Sequence, residues 1–97
     1  MRVQWTRRAL RRLDQQIGYV AQYSASAATE LSDRLFDRAG TLADNPLMGR
    51  EGRYLGTREL VVEKGRYIIV YRVRSQVVQI VTVHDARQQW PEELKKA

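Results

Sequence analysis

The stretch RELVVEKGRYIIVYRVRSQVVQIVTVH, residues 58–84, decides the fold. It is dense in β-branched and aromatic residues, and its period is two. Arg58 to Glu63 reads as a strand with Leu60 and Val62 on one face. Lys64-Gly65 is a two-residue hairpin turn, weaker than Asn-Gly because lysine dislikes a positive φ. Arg66 to Arg74 is the clearest strand: Tyr67, Ile69, Tyr71 and Val73 share one face, and Ile68, Val70, Arg72 and Arg74 share the other. Ser75-Gln76 joins it to a last strand, Val77 to His84. Short turns make these strands antiparallel neighbours. The middle strand is apolar on both faces at Ile68 and Val70, so its second face needs a cover, either a partner or the chain's own tail.

Upstream the period changes. Arg2 to Trp5 is a short strand, and Thr6 is placed to cap the helix after it. Leu10, Leu13, Ile17 and Val20/Ala21 recur at helical spacing, with Arg8, Arg11, Arg12 and Gln15 opposite. Ser24 to Ser26 breaks the helix and offers a second cap. Ala28, Leu31, Leu35, Ala39 and Leu42 continue the stripe on a second helix, which should stop before Pro46. Residues 45–57 (NPLMGREGRYLGT) hold Pro46, Gly49, Gly52 and Gly56 and read as a loop. The order is β-α-α-β-β-β: an α+β fold, one domain over residues 1–97, with a helical hairpin on one face of an antiparallel sheet. Asp85 to Ala97 is a tail with Arg87, Trp90, Pro91 and a charged end.

Composition narrows the function. The chain has 97 residues, 17 basic against 11 acidic, and a net charge of +6. Fourteen of the basic residues are arginine, which favours planar recognition of phosphate or carboxylate. An anionic partner is implied: nucleic acid, an acidic protein segment or an anionic membrane surface. With no cysteine, thiolate metal sites, disulfides and a cysteine nucleophile are excluded, in keeping with a reducing cytoplasm. The longest apolar run is Tyr67–Tyr71, so no membrane span or secretory leader is expected. One histidine and scattered carboxylates give no metal-ligand spacing, and no metal or cofactor is expected.

The residues left for chemistry are Arg58, Arg72, His84, Arg87 and Trp90. His84 could be a general acid or base, or a strand-end histidine bonded to a carbonyl. Arg72 could clamp a phosphate or carboxylate, or be a solvated strand residue. Arg58 reads first as a charged strand start, and Trp90 as a packing anchor for the tail before a base-stacking platform. The Arg7/Arg8/Arg11/Arg12 run is a solvated helix face or a docking face for an acidic peptide.

Taken together, Trp5 before an Arg-rich helix, N-P-x-x-G-R (45–50), G-T-R-E-L-V-V (56–62), Y-I-I-V-Y-R-V (67–73) and I-V-T-V-H-D-A-R-Q-Q-W-P (80–91) resemble the RelE/ParE superfamily of type II toxin–antitoxin toxins, closest to the ParE group. The resemblance runs over nearly the whole chain. It implies a cytoplasmic, growth-inhibiting toxin of the plasmid-stabilising kind, neutralised by a cognate ParD-like antitoxin through an acidic segment that folds on contact. Superfamily members divide by target. RelE-like members cut mRNA on the ribosome; ParE-like members poison DNA gyrase, stall its cleaved-DNA complex and need no catalytic residue. The ribonucleases usually carry arginine as the second residue of the Y-x-L-V-Y strand, where this chain has Ile68. Their second basic position falls near Ala86, one residue short of Arg87. An apolar side chain gives no hydrogen bond to a phosphorane-like transition state, and losing one such donor costs about 3–4 kcal/mol of barrier. The resemblance therefore implies a gyrase inhibitor, with Arg72, His84, Arg87 and Trp90 toward the target and Arg8, Arg11, Arg12, Ile68 and Val70 toward the antitoxin. The alternative is a ribosome-dependent mRNA endonuclease using Arg58, Arg72, His84 and Arg87, with Glu51 or Glu59 completing the set. A third reading is a general nucleic-acid binder using the Arg-rich first helix.

Overall fold

A computed structural model describes residues 1–92; the charged chain end, 93–97, lies outside the described residues. The elements run β1 (Arg2–Trp5), α1 (Arg7–Ala21), α2 (Ala25–Gly40), a 3-10 turn (Thr41–Ala43), β2 (Arg50–Glu51), β3 (Arg58–Val62), a tight turn (Glu63–Gly65), β4 (Tyr67–Arg74) and β5 (Val77–Asp85). Both expected caps form. Thr6 Oγ1 accepts from Ala9 N at 3.0 Å, and Ser24 Oγ accepts from Ala27 N at 3.1 Å. Thr6 also ties α1 to the sheet, its hydroxyl donating to Val81 O at 3.2 Å and its amide to Ile80 O at 3.1 Å. The second helix stops before Pro46 as its sequence requires.

The sheet order is β1-β5-β4-β3-β2. Strands β3, β4 and β5 pair antiparallel in sequence order, while β1 lies at one edge, parallel to β5. The helical hairpin makes this parallel return possible, because a parallel neighbour needs a long crossover. Three details differ from the sequence reading, the first being that β1 makes the sheet mixed rather than wholly antiparallel. The loop 45–57 contains a two-residue strand, β2, against Arg58 and Glu59; two residues are too few to show a period. The β3–β4 turn is also wider than Lys64-Gly65, with Glu63, Lys64 and Gly65 all at positive φ (52°, 55° and 89°).

A register shift at Val70/Tyr71 leaves Val81 without a partner, so β5 bulges there. The bulge has a clear purpose. His84 and Thr82 lie opposite Ile68 and Val70 on the sheet's second face. Strict alternation would carry Ile80 and Val78 to that face too. One extra residue turns them back toward the helices, where both are fully buried. The main core thus joins Ala9 and Leu13 of α1, Leu31, Leu35 and Ala39 of α2, and Leu60, Ile69, Tyr71, Ile80 and Val83 of the sheet. On the second face a smaller core forms from Tyr54, Ile68, Val70 and Val81, with Trp90 packed against it. The tail and the loop 50–57 are therefore the cover that the double-sided strand called for.

Candidate functional site

Tyr71 anchors the loop before β2. Its hydroxyl, inside the core, donates to Pro46 O at 2.8 Å and accepts from Gly49 N at 2.8 Å. Gly49 is needed because a Cβ there would lie 2.7 Å from the Tyr71 ring and hydroxyl. Arg58 serves the same loop, with Nη1 donating to Gly49 O at 2.8 Å. The next part of the loop closes over the second face. Gly52 donates its amide to Thr57 O at 2.8 Å, and a Cβ at Gly52 would strike Thr57 Oγ1. This closure brings Arg53 and Tyr54 over the sheet.

The centre of the second face is one continuous stack. Glu59, 2% exposed, accepts five bonds: from Arg50 Nε and Nη2, and from Arg53 N, Nε and Nη2, at 2.9–3.3 Å. Burial pushes the Glu59 carboxyl up, but the Arg53 and Arg50 bonds outweigh it and hold it below its ordinary value. The same Arg53 guanidinium lies 3.6 Å above the Trp90 ring. Trp90 in turn stacks on His84, ring centroids 3.8 Å apart and 20° from parallel, with Tyr54 edge-on at 5.9 Å. Tyr54 Oη donates to Pro91 O at 3.2 Å. The tail is thus strapped to the sheet by a layered Glu59–Arg53–Trp90–His84 arrangement, built from hydrogen bonds at one end and ring faces at the other.

His84 is 1% exposed. Its Nε2 lies 3.0 Å from Gln88 O, and its Nδ1 is buried with no partner. A carbonyl only accepts, so Nε2 carries the hydrogen and Nδ1 is bare. Burial lowers the His84 pKa first, and the nearby Arg12 and Arg53 charges add to this; the Gln88 carbonyl and Asp85 oppose it. A neutral, ring-stacked histidine bonded to a carbonyl is the tail anchor that the carbonyl-bonded reading describes.

The other candidates separate. Arg72 lies on the second face opposite Gln79 and donates Nε to Gln79 Oε1 at 2.6 Å. It is four strand residues, roughly 13 Å, along β4 from Ile68, the residue opposite His84. Arg58 pairs with Tyr71, on the face toward the helices. Arg58, Arg72 and His84 therefore do not converge on one scissile group. Glu51 is exposed in β2, and Glu59 is saturated by arginine. Ile68 and Val70, expected on an antitoxin-binding surface, are 6% and 0% exposed beneath the strap, and in the free chain they form no part of the surface. Arg8 and Arg11 are exposed on α1.

Arg12 and Arg87, which the sequence reading placed on different surfaces, meet in a cleft of about 380 Å³ beside the end of β5. Asp85, 6% exposed, accepts from Arg87 N at 2.9 Å, Nε at 3.3 Å and Nη2 at 3.2 Å, with Arg66 Nε 3.6 Å away. Burial pushes the Asp85 carboxyl up, but the Arg87 bonds prevail and hold it below its ordinary value. Gln15, Gln16, Tyr19, Tyr67 and Gln88 complete the wall. Sequence reasoning missed Arg50, Arg53, Tyr54, Arg66 and Asp85, and it considered Glu59 only as part of the alternative ribonuclease set. A usable hint was the arginine–aromatic pair Arg53-Tyr54 in a glycine-bounded loop, with a lone tail tryptophan to receive it.

With its helical hairpin on one side of a five-stranded sheet and a tail strapped across the other, the chain is one of the RelE/ParE superfamily toxins, as its matches to known proteins show. More narrowly, it belongs to the ParE toxin family: the model of the ParE toxin of the type II toxin–antitoxin system parDE matches residues 3–90. Among curated proteins it is 45% identical over 93 residues to the Sinorhizobium fredii protein named "Putative toxin Y4kP", covering 96% of each chain. It is 40% identical over 87 residues to Toxin RelE2 of Caulobacter vibrioides, covering 87% of this chain and 93% of that one. Among solved structures it matches a chain titled chromosomal ParDE TA system from P. aeruginosa, with a TM-score of 0.77 and 25% identity over 88% of this chain and 95% of that one. Among the described residues, no helix is long and apolar enough to cross a membrane.

Proposed function

We propose that this ParE-family toxin acts by inhibiting DNA gyrase, stalling the cleaved-DNA complex, and that a ParD-like antitoxin neutralises it. The observation that carries the gyrase reading is the state of the second face. The position where RelE-like ribonucleases place an arginine is Ile68, and it is packed under Tyr54 and Trp90. His84 is neutral and sealed, with Nε2 bonded to a carbonyl and the bare Nδ1 buried, so neither nitrogen is open to a ribose hydroxyl. Glu59 is held ionised by two arginines that it would have to leave to move a proton. A ribonuclease needs an open face with convergent donors, and this face is closed. What the chain offers instead is an arginine-rich exterior suited to a protein–DNA complex. The antitoxin reading draws on family membership and on the ParDE title of the matched structure.

The test sets two assays side by side. Purified chain added to gyrase and plasmid DNA is expected to abolish supercoiling and accumulate cleaved DNA. The alternative, mRNA cleavage on translating ribosomes, is measured in parallel. Intact supercoiling together with cut message would overturn the gyrase reading and install the ribonuclease.

A further inference from the structure

The cleft between α1 and the end of β5 adjoins the strap through Gln88 but lies outside the Glu59–Arg53–Trp90–His84 stack. Three guanidiniums, Arg12, Arg66 and Arg87, face a single carboxylate, Asp85. Asp85 is already matched by Arg87 through three donors. Arg66 Nε is buried without a hydrogen bond, stopping 3.6 Å short of the same carboxylate. Among the described residues, Arg12 donates to neutral amides alone, Gln15 Oε1 at 3.3 Å and Gln88 Oε1 at 3.5 Å, both long. The cleft therefore has two formal positive charges in excess and donors in reserve.

The wall beside it is aromatic. Arg12, Gln16 and Tyr19 follow at four and three residues, so they share one face of α1, and Tyr23 lies in the turn just beyond the helix end. Tyr19 and Tyr23 are 55% and 76% exposed, their rings edge-to-face at 5.5 Å. Tyrosine beside arginine is the composition of a protein-binding hot spot. A nucleic-acid groove has its positive charge in a row along the phosphates. Here the charge is one spot, flanked by glutamine and tyrosine. A single planar carboxylate matches the guanidinium forks.

We propose that this cleft docks a peptide partner, with the carboxylate of one glutamate or aspartate seated between Arg12, Arg66 and Arg87 and an apolar neighbour laid over Tyr19 and Tyr23. Naming that partner as the antitoxin rests on the function proposed above; the site itself does not. The probe is a capped Leu-Glu-Leu-Leu peptide, followed through the arginine Nε–Hε resonances of the intact chain. Its uncharged Leu-Gln-Leu-Leu counterpart and a thymidine dinucleotide serve as comparison ligands. Shifts at Arg12, Arg66 and Arg87 are expected, with the Gln peptide binding about tenfold more weakly. Arg12→Gln, which removes no ion pair, should abolish the preference for Glu, while Arg74→Gln at the far β4–β5 turn should not. Equal binding of the two peptides, tighter binding of the dinucleotide, or no shift at millimolar peptide each overturns the proposal. In pull-downs with a ParD-like antitoxin, undiminished capture of Arg12→Gln also counts against the site and leaves the antitoxin reading standing. Peptide binding without antitoxin capture by the wild type does the reverse.

Discussion

At the residue scale, His84 and Arg53 decide how the tail is held. His84 is kept neutral, and its Nδ1 has no partner for a second proton. Its folded pKa is lowered, so the unfolded chain binds the proton more readily and stability is lost as pH falls below the ordinary histidine value, about 6.5. Glu59 and Asp85 are lowered as well, and their contributions fade in turn as pH falls through the carboxylate range. Thermal melts should therefore show an early loss of stability on acidification from pH 7.5 to 5.5. In His84→Gln that early loss should disappear while the later carboxylate step remains; an unchanged early loss would rule out His84 as its source. Arg53 acts through two contacts at once. Arg53→Ala leaves buried Glu59 with Arg50 alone and bares one face of Trp90, which should cost about 2–3 kcal/mol in urea denaturation. Arg53→Lys keeps the charge but loses the flat guanidinium over the ring, and should fall between. A loss below about 0.5 kcal/mol for Arg53→Ala, the range of an ordinary surface change, would show that the stack contributes little.

At the element scale, the strands and helices were legible because each has a strong local pattern. Leu10 to Val20 and Ala28 to Leu42 repeat at three and four, and Tyr67 to Val73 is a short β-branched and aromatic run between turn signals. The tail's packing role followed from an apolar second face that had no other cover. What stayed hidden was aperiodic. Strand β2 is two residues long, and the bulge at Val81 sits where Ile80 and Val81 are both apolar, so alternation does not reveal the slip. The β4–β5 turn shows a further local conflict. Ser75 and Gln76 both hold positive φ, 49° and 65°, which neither residue favours. Replacing Ser75-Gln76 with Asn-Gly should stabilise the chain by about 1 kcal/mol, read as a higher urea midpoint at unchanged slope. A lower midpoint would mean that one of the original side chains makes a contact worth more than the turn strain.

At the scale of the whole molecule, site roles were less legible than the fold, because pairing between charges is set by tertiary approach rather than by spacing. Arg50 and Arg53 with Glu59, Arg66 and Arg87 with Asp85, and Arg34 with Glu63 each join residues whose partnership no motif announces. These contacts engage four arginines around two buried carboxylates and one more at Glu63. The net charge of +6 is not cancelled by them, since it counts every carboxylate in the chain. That excess must act at long range, and at long range it governs encounter more than grip. Association with an acidic partner, for which the ParD-like antitoxin is the proposed case, should therefore slow by tenfold or more as salt rises from about 0.02 to 0.5 M, since the screening length shrinks from roughly 20 Å to a few Å. Dissociation should change far less, because contacts sealed within an interface are poorly screened. Stopped-flow mixing separates the two rates. A salt effect confined to dissociation would place the binding energy in exposed ion pairs, and the surplus arginine would then be holding the partner rather than steering it.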